Sequence, residues 1–400
     1  MISSARSAGA SGSAAARPVP FFTQADTFAR CWPDISRHVG EVFDRGKFSH
    51  GRQVAELEQA LAAYTGARHV VAVNSGTDAL VLLLRGCGIG PGDEVIVPAF
   101  SFFASASSVA LARARPVFAD IDPVSYSLDP AAAEAAVTPR TRAVLPVHLF
   151  WQLADMAGLG ALARRHGLRV VEDSAEAIGM RWNGVHAGLL GDGGVLSFFP
   201  TKTLGALGDA GAVLTDDPEL AERVASLRHH GRTGLTVDHF AGISNLAGAS
   251  GTNSKMDDIQ AAVLLGKLPR LDGAIARRAE LARAYTERLR GVPGVLRLPA
   301  VVRREAVAEP VFYVYVIEVE RRDELVTHLA HEGVGTEVYY PTPLHLQPAF
   351  AGLGHRPGDF PHAEAACAHT VALPFHPDLS LTDVDRVCDA VSRFYGGNAS

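Results

Sequence analysis

The chain has 400 residues, of which 48% are hydrophobic and 20% are charged, and its net charge is −6 at pH 7. This length exceeds one ordinary hydrophobic core and predicts two domains, one of them large. The acidic balance argues against a general nucleic-acid-binding protein. No apolar stretch approaches the ~20 residues that a membrane-spanning helix needs, so we expect no membrane association.

Residues 1–18 are rich in serine, alanine and glycine and lack the apolar centre of a signal peptide, which predicts a disordered tail. The four cysteines, at positions 31, 87, 367 and 388, are scattered without the spacing of metal ligands. Such cysteines are typical of free thiols in a reducing compartment. We therefore expect a cytoplasmic protein without a metal site.

Short apolar runs recur along the first half of the chain and predict strands. Several runs are continuous, which is typical of strands buried on both faces of a sheet. Helical patterns lie between many of them, for example at 77–87, 101–112 and 154–166. This alternation predicts an α/β fold with a mostly parallel seven-stranded sheet flanked by helices. The runs are 69–73, 94–97, 116–119, 143–147, 168–171, 194–198 and 211–214.

A long helical pattern from about 257 to 290 follows, and Pro269 is expected to kink it. We interpret it as the bridge between a large domain at 19–270 and a smaller C-terminal α+β domain at 271–400. The smaller domain's predicted elements are a strand at 311–318, a helix at 322–332, a strand at 336–340 and a helix at 382–394.

Lysine is scarce in this chain. Only Lys47, Lys202, Lys255 and Lys267 of the 37 basic residues are lysine. A chain that uses arginine at most of its basic positions is expected to keep lysine where arginine cannot do the chemistry. A Schiff base is such a case, because an amine can lose its proton and attack a carbonyl, whereas guanidinium cannot. Lys202 follows the apolar run 195–199 in a Pro/Thr/Gly loop, which is typical of a strand end that meets a small molecule. A solvated loop lysine is the alternative.

Asp173 ends another apolar run. A lysine and a carboxylate at two strand ends are the minimum needed to hold pyridoxal 5'-phosphate (PLP) by its aldehyde and its ring nitrogen. The carboxylate would keep that nitrogen protonated, so that the ring acts as an electron sink. Alternatively, Asp173 caps the start of a helix, since the segment 173–176 resembles a capping sequence.

Residues 74–77 (NSGT) follow the first strand and open a helix, which predicts a cup for the PLP phosphate with Gly76 and Thr77 as contacts. A plain capped helix start is the alternative. Ser197 is a further phosphate candidate, and Phe102 offers either a flat face for the cofactor ring or ordinary core packing. His148, after the fourth strand, is expected to line a substrate pocket.

Together these motifs resemble the PLP-dependent sugar-nucleotide aminotransferases of the DegT/DnrJ/EryC1/StrS family. The resemblance extends from about residue 18 to residue 395, with eight motifs in order and at family-like spacing. The motifs are NSGTDAL, GDEVIVPAFSF, FADIDP, PVHLF, VEDSAEAIG, SFFPTKTLGALGDAGAV, TNSKMDDIQAAVL and YYPTPLHLQPAF.

The resemblance implies a fold type I aminotransferase that cycles between PLP and pyridoxamine phosphate, and a homodimer with active sites at the subunit interface. It implies that Lys202 forms the Schiff base, that Asp173 pairs with the pyridine nitrogen, and that Glu176 lies near the ring. It also implies that Asn253 reaches the phosphate from the neighbouring subunit.

The resemblance further places Lys255 near a nucleotide diphosphate and His345 near the sugar. Trp151, where the family commonly has glycine, joins them as a candidate substrate contact. The implied reaction is a ping-pong transamination from L-glutamate to a nucleotide-diphosphate ketosugar. Freed Lys202 would shuttle the proton, and we expect the buried loop and the protonated ring to lower its pKa.

Many family members that aminate C3 carry glutamine at the position of Glu176. Glutamate there predicts TDP-4-keto-6-deoxyglucose as the substrate, aminated at C4, in deoxyamino sugar biosynthesis. A 3-keto sugar and a keto-inositol are alternatives within the family. A non-catalytic regulatory or binding protein with the same fold is an alternative from another class.

Overall fold

The computed structural model describes residues 17–49, 51–232, 247–302 and 310–396. Most of the predicted tail, residues 1–16, lies outside these ranges. The strands are β1 His69–Val73, β2 Glu94–Pro98, β3 Arg115–Ala119, β4 Thr141–Val144, β5 Arg169–Asp173, β6 Arg181–Trp182, β7 Val185–His186, β8 Gly193–Ser197, β9 Gly211–Thr215, β10 Val295–Arg297, β11 Tyr315–Val319 and β12 Thr370–Leu373. The α-helices are α1 Ala25–Arg45, α2 Arg52–Thr65, α3 Gly76–Gly86, α4 Phe103–Leu111, α5 Pro130–Ala135, α6 Met156–His166, α7 Pro218–Leu227, α8 Asp258–Lys267, α9 Leu271–Leu289, α10 Arg322–His331, α11 Pro361–His369 and α12 Leu381–Gly396.

A seven-stranded sheet forms the centre of the larger part, in the order β1-β9-β8-β5-β4-β2-β3. β9 is antiparallel to both of its neighbours, and the pairs from β8 to β3 are all parallel. In β2 every residue is buried, as expected for a strand that is covered on both faces. The mostly parallel α/β sheet predicted from the sequence is confirmed.

Strand direction gathers the polar ends of several strands at one edge of this sheet. Asp173 ends β5 and Ser197 ends the neighbouring β8. β1 runs in the same direction as β8, because antiparallel β9 lies between them, and it leads through Ser75 into α3. Ligands of open α/β sheets bind at such carboxyl ends.

The predicted break in the long C-terminal helical pattern is confirmed. Pro269 lies in a short 3₁₀ turn, Leu268–Arg270, between α8 and α9. Proline has no N–H to donate within a helix, so the α-helical hydrogen bonding is interrupted there. No helix in the described part of the chain is both long enough and apolar enough to cross a membrane.

A second hydrophobic core gathers around the antiparallel sheet β10-β11-β12 and the helices α9, α10 and α12. On this basis we propose a smaller domain from residue 271, although Val19 also packs into this core. The strand predicted at 336–340 is wrong, because the only pairing described there is an isolated bridge between Glu337 and Ala372. β12 occupies the position beside β11 instead, and the sequence did not indicate it.

Candidate active site

A cleft of about 390 Å³ opens at the carboxyl ends of the central strands. Its walls combine backbone and small side chains near the start of α3 with aromatic rings from residues 313 and 339–340. The cleft brings together the predicted residues Gly76, Thr77, Phe102, Asp173, Glu176, Ser197 and Lys202.

Lys202 projects into this cleft from the loop after β8. Its Nζ lies 3.2 Å from Oε1 of Glu176 and 4.3 Å from the ring centre of Tyr313. Burial lowers the pKa of the Lys202 amine, but the nearby groups Glu176, Tyr313 and Asp173 act in the opposite direction and together raise the pKa above its ordinary value. The sequence predicted that the buried loop and the protonated cofactor ring lower this pKa; burial acts in that direction, and the effect of the ring stays a prediction.

Glu176 is fixed from both carboxylate oxygens. Oε1 accepts from Lys202, and Oε2 accepts from the backbone N–H of Phe150 at 3.0 Å. Phe150 has a φ of 65°, which turns the chain so that this N–H faces Glu176. The carboxylate therefore has one charged partner in the cleft and one backbone partner in the loop after β4.

Asp173 has a separate set of partners. Its Oδ2 accepts from Ser105 Oγ at 2.7 Å, and Ser105 in turn lies 2.8 Å from Ser101 Oγ. Its Oδ1 accepts from the backbone N–H of Ala175 at 3.2 Å. These contacts hold a nearly buried carboxylate, 5% exposed, as an acceptor for a positively charged group in the cleft.

The start of α3 lies against the end of β8 and forms a cradle of small residues. Ser75 caps the helix by accepting from the N–H of Asp78 at 3.0 Å. A Cβ added to Gly76 would lie 2.8 Å from Cβ of Ser197, so the two segments approach as closely as glycine permits. The free N–H groups and the dipole of a helix start favour an anion such as a phosphate.

Phe102 lies at the entrance to the cleft, where it is 58% exposed. Its ring is tilted by 46° against that of Tyr340, with 6.1 Å between centres. This exposure excludes the core-packing alternative, and the stacking of Phe102 on the cofactor ring stays a prediction.

His148 and Trp151 are not brought to the cleft. His148 is fully buried; its Nε2 lies 2.8 Å from Glu172 Oε2 and its Nδ1 accepts from Ala154 N–H at 3.1 Å. Trp151 is 1% exposed and donates from Nε1 to the Ala300 carbonyl at 3.0 Å. Both side chains face the interior and lie outside the lining of the cleft, so their role as substrate contacts stays a prediction.

The remaining three predicted contacts also lie outside the lining of the cleft. His345 is 1% exposed, with Nε2 3.1 Å from Oε1 of Glu364 and its ring against Phe360. Asn253 and Lys255 contact each other on the far side of β1, where Lys255 pairs with Val73. Burial, followed by the charges of nearby arginines, lowers the pKa of Lys255.

Three tyrosines of the cleft were missed as site residues. Tyr313 lies in none of the eight motifs. Tyr339 and Tyr340 begin the motif YYPTPLHLQPAF, so their sequence could have indicated them. The Tyr313 hydroxyl lies 3.1 Å from Thr201 Oγ1, next to Lys202 in the chain. Burial raises the pKa of Tyr339 and Tyr340, so both phenols are neutral near pH 7.

The donor set fits PLP. Lys202 offers an amine for the aldehyde, and Asp173 offers a buried acceptor for a protonated ring nitrogen. Gly76 and Ser197 both line the cleft at the start of α3, where a helix N-terminus favours a phosphate. When bound, PLP supplies an electron sink for the chemistry at an amino carbon.

Comparison with known proteins agrees with this geometry. The chain matches the DegT/DnrJ/EryC1/StrS aminotransferase family over residues 32–392. It is 43% identical over 378 residues to a "Pleiotropic regulatory protein" of Geobacillus stearothermophilus, covering 94% of this chain and 98% of that protein. It is 42% identical over 376 residues to the dTDP-3-amino-3,4,6-trideoxy-alpha-D-glucose transaminase of Streptomyces venezuelae, covering 94% and 96% of the two chains.

The crystal structure of S. venezuelae DesV in complex with a ketimine intermediate superposes with a TM-score of 0.88. The two chains are 41% identical, and the match covers 95% of this chain and 99% of that one. With a family match across most of its length, this chain belongs to the DegT/DnrJ/EryC1/StrS family of PLP-dependent sugar-nucleotide aminotransferases.

Proposed function

We propose that this aminotransferase moves the amino group of L-glutamate to the C4 ketone of TDP-4-keto-6-deoxyglucose. The observation that carries the chemistry is the position of Lys202 Nζ, 3.2 Å from Glu176 in the same cleft as Asp173. An amine beside a carboxylate can accept and return a proton as general base and acid.

The other residues of the cleft have supporting roles in this proposal. Gly76, Thr77 and Ser197 hold the phosphate, and Phe102 covers one face of the ring. Asp173 keeps the ring nitrogen protonated through its charge, and Ser105 holds that carboxylate in place. His148, Trp151 and His345 act only indirectly, since their side chains are buried elsewhere.

The carbon that receives the amine separates two candidates. Glu176, where C3-aminating relatives often have glutamine, favours a 4-ketone. The similarity to a transaminase whose product carries its amine at C3 favours a 3-keto sugar as the second candidate. The two are separated by supplying each TDP-ketosugar and assigning the aminated carbon of the product by NMR.

The first test is the visible spectrum of the purified protein before and after addition of L-glutamate. We expect an absorbance band of bound PLP that L-glutamate bleaches, and restoration of the band by the accepted ketosugar. Lys202→Arg should keep the fold and abolish turnover, because guanidinium neither bonds the aldehyde nor exchanges protons near pH 7. Turnover near that of the wild type in this variant would disprove the mechanism.

The alternative to an enzyme is a regulatory protein without catalysis. We test this alternative because the Geobacillus relative is called a pleiotropic regulatory protein. Lys202, Asp173 and the phosphate cradle together support catalysis instead. A protein that binds PLP but does not bleach with any amino donor, and that aminates neither ketosugar, would support the regulatory alternative.

We further propose a homodimer with shared active sites. Asn253 and Lys255 lie outside the lining of their own cleft, and large apolar side chains such as Trp32 and Phe43 are more than half exposed on α1. Mixing Lys202→Arg with Asn253→Ala chains tests the sharing. If Asn253 serves the partner's cleft, the mixed dimer contains one intact site and regains activity that neither variant has alone.

We also propose that the enzyme works in the cytoplasm. The cysteines are free thiols, and Cys31, Cys367 and Cys388 are buried, which suits a reducing compartment. Cell fractionation tests this location, and recovery of the protein in the secreted fraction would contradict it.

A further inference from the structure

The loop that carries Lys202 is closed at its base but leaves carbonyl groups directed away from the cleft. The N–H of Ala206 donates to the Phe198 carbonyl at 2.8 Å, which closes the loop. Inside it, a Cβ on Gly205 would lie 2.4 Å from the Pro200 carbonyl oxygen, so the turn is as tight as glycine allows. The carbonyls of Pro200 and Gly205 therefore need donors from outside the loop.

Two side chains distant in sequence supply these donors. The Gln24 amide donates to the Pro200 carbonyl, and Lys267 Nζ donates to the Gly205 carbonyl at 2.5 Å. Lys267 also donates to Gln24 Oε1 at 2.6 Å, which joins the two contacts. We call Gln24 and Lys267 the clamp.

Lys267 is an unusual choice for a merely structural position. It is 6% exposed, lies over the Phe28 ring at 4.7 Å, and has no carboxylate within hydrogen-bonding distance among the described residues. A buried ammonium is costly to desolvate, yet this chain, which uses arginine almost everywhere, retains lysine here. The adjoining cavity of about 50 Å³ is lined by both Lys267 and Lys202, so the clamp lies directly behind the reactive lysine.

The clamp is anchored to the smaller domain. Val19, five residues before Gln24, pairs with the strand-like segment around Val334 through two backbone hydrogen bonds of 2.8 and 2.9 Å. Lys267 ends α8, immediately before the turn that leads into α9. The Lys202 loop is thereby connected to both segments that enter the smaller domain.

From these contacts we infer that Gln24 and Lys267 are positioning residues, which set the direction in which Lys202 enters the cleft. This inference rests on the proposed role of Lys202. The hydrogen bonds described between the clamp and the loop go to two backbone carbonyls, so the clamp acts on the reaction through Lys202 and not on the substrate.

Two variants separate the effect of the position of the Lys202 loop from the effect of the charge of Lys267. Lys267→Met removes the charge and both donated hydrogen bonds at similar side-chain length, whereas Gln24→Leu removes a neutral donor. Lys47→Met is the matched control for the loss of a lysine elsewhere. We expect both clamp variants to lower kcat about tenfold with little change in the KM for either substrate, since a misplaced reacting group affects the chemical step.

A spectroscopic readout distinguishes positioning from loss of stability. The absorbance of bound PLP should change with pH at a midpoint that moves in the same direction by about half a unit in both clamp variants, because both variants displace the same amine. Lys47→Met should keep the midpoint of the wild type. A clamp variant with a lower melting temperature but an unchanged midpoint and kcat would reduce the clamp to a structural role.

Hydrogen–deuterium exchange of the cofactor-free protein tests the inference even if the wild type binds no PLP. Exchange of the 199–206 peptide should accelerate in Lys267→Met and Gln24→Leu, while the β2 peptide stays as protected as in the wild type. If exchange accelerated equally across the whole chain, or did not accelerate in the 199–206 peptide, the inference that Gln24 and Lys267 position the Lys202 loop would be wrong. A wild type without a PLP band but with a clamp-dependent loop would instead disprove the proposed function alone.

Discussion

Lys202 Nζ and Glu176 Oε1 lie 3.2 Å apart in a site where the lysine side chain is only 16% exposed. Burial alone would favour the neutral amine, but the carboxylate favours the ammonium and raises the pKa of Lys202. A general base must be neutral to accept a proton, whereas the ammonium is the acid that returns it, so the carboxylate favours the acid form of Lys202. We therefore expect Glu176 to influence the pH at which the free Lys202 amine becomes reactive.

Glu176→Gln should lower the pKa of Lys202. Glutamine still offers an oxygen to the amine but no negative charge, so the ammonium loses its main stabilising partner. We expect the pH midpoint for the reaction of Lys202 with added PLP, followed by rapid-mixing absorbance, to fall by about one unit or more. Glu222→Gln, an exposed position, is the control, and an equal midpoint in both variants would show that Glu176 does not govern the amine.

Asp173→Asn should reduce turnover by about 10²- to 10³-fold while changing the melting temperature little. The amide oxygen can still accept from Ser105, but it cannot hold a positive charge on the ring nitrogen. Ser105→Ala leaves the Asp173 carboxylate with one hydrogen-bond donor fewer and should lower turnover about tenfold. Single-turnover kinetics with L-glutamate measure both effects; a larger loss for Ser105→Ala than for Asp173→Asn would contradict these roles.

The sequence predicted the residues at strand ends well, for a physical reason. Continuous apolar runs identify buried strands, and parallel strands direct their carboxyl ends to one edge, so Asp173, Ser197 and Lys202 had to meet there. Periodicity does not report how a loop turns after a strand. The positive φ of Phe150 and the contact of Trp151 with Ala300 turn the loop after β4 inward.

Contacts between residues far apart in the sequence explain why the positions of His148, Tyr313 and Lys267 could not be predicted. His148 is held by Glu172, whose carboxylate also accepts backbone N–H groups from residues 188, 190 and 191, and no local pattern indicates that network. Tyr313 reaches Lys202 only because the chain returns past Phe150. Lysine is equally scarce at Lys202 and Lys267, but the sequence predicted a role for Lys202 alone, and only the structure reveals the loop that Lys267 contacts.

Gly76→Ala should weaken PLP binding about tenfold. The new methyl group would lie 2.8 Å from Cβ of Ser197 and 3.0 Å from its Oγ, and such overpacking costs about 1–3 kcal/mol. Gly40→Ala, where an added Cβ meets nothing within 4 Å, is the control and should stabilise α1 slightly. Equilibrium titration of the apo-protein with PLP measures the affinity; equal affinities in the two variants would show that the cradle does not hold the phosphate.

Lys267 should make the free energy of unfolding depend on pH in a defined direction. Burial lowers the pKa of its amine to about 8, whereas the unfolded chain keeps the proton up to about pH 10.4. Between these values the unfolded state binds more protons, so the contribution of Lys267 to stability rises with pH. The neutral amine retains two N–H groups, enough for both Gln24 and Gly205.

Urea denaturation of the wild type and Lys267→Met at pH 8 and pH 9.5 measures this contribution. We expect the stability of the wild type relative to the variant to increase by about 1.5 kcal/mol over that interval. Comparison with Lys47→Met corrects for the loss of one lysine. A difference that stays constant or shrinks as the pH rises would mean that Lys267 keeps its proton in the folded chain, and the ammonium itself would then have to be counted among the groups that hold the Lys202 loop.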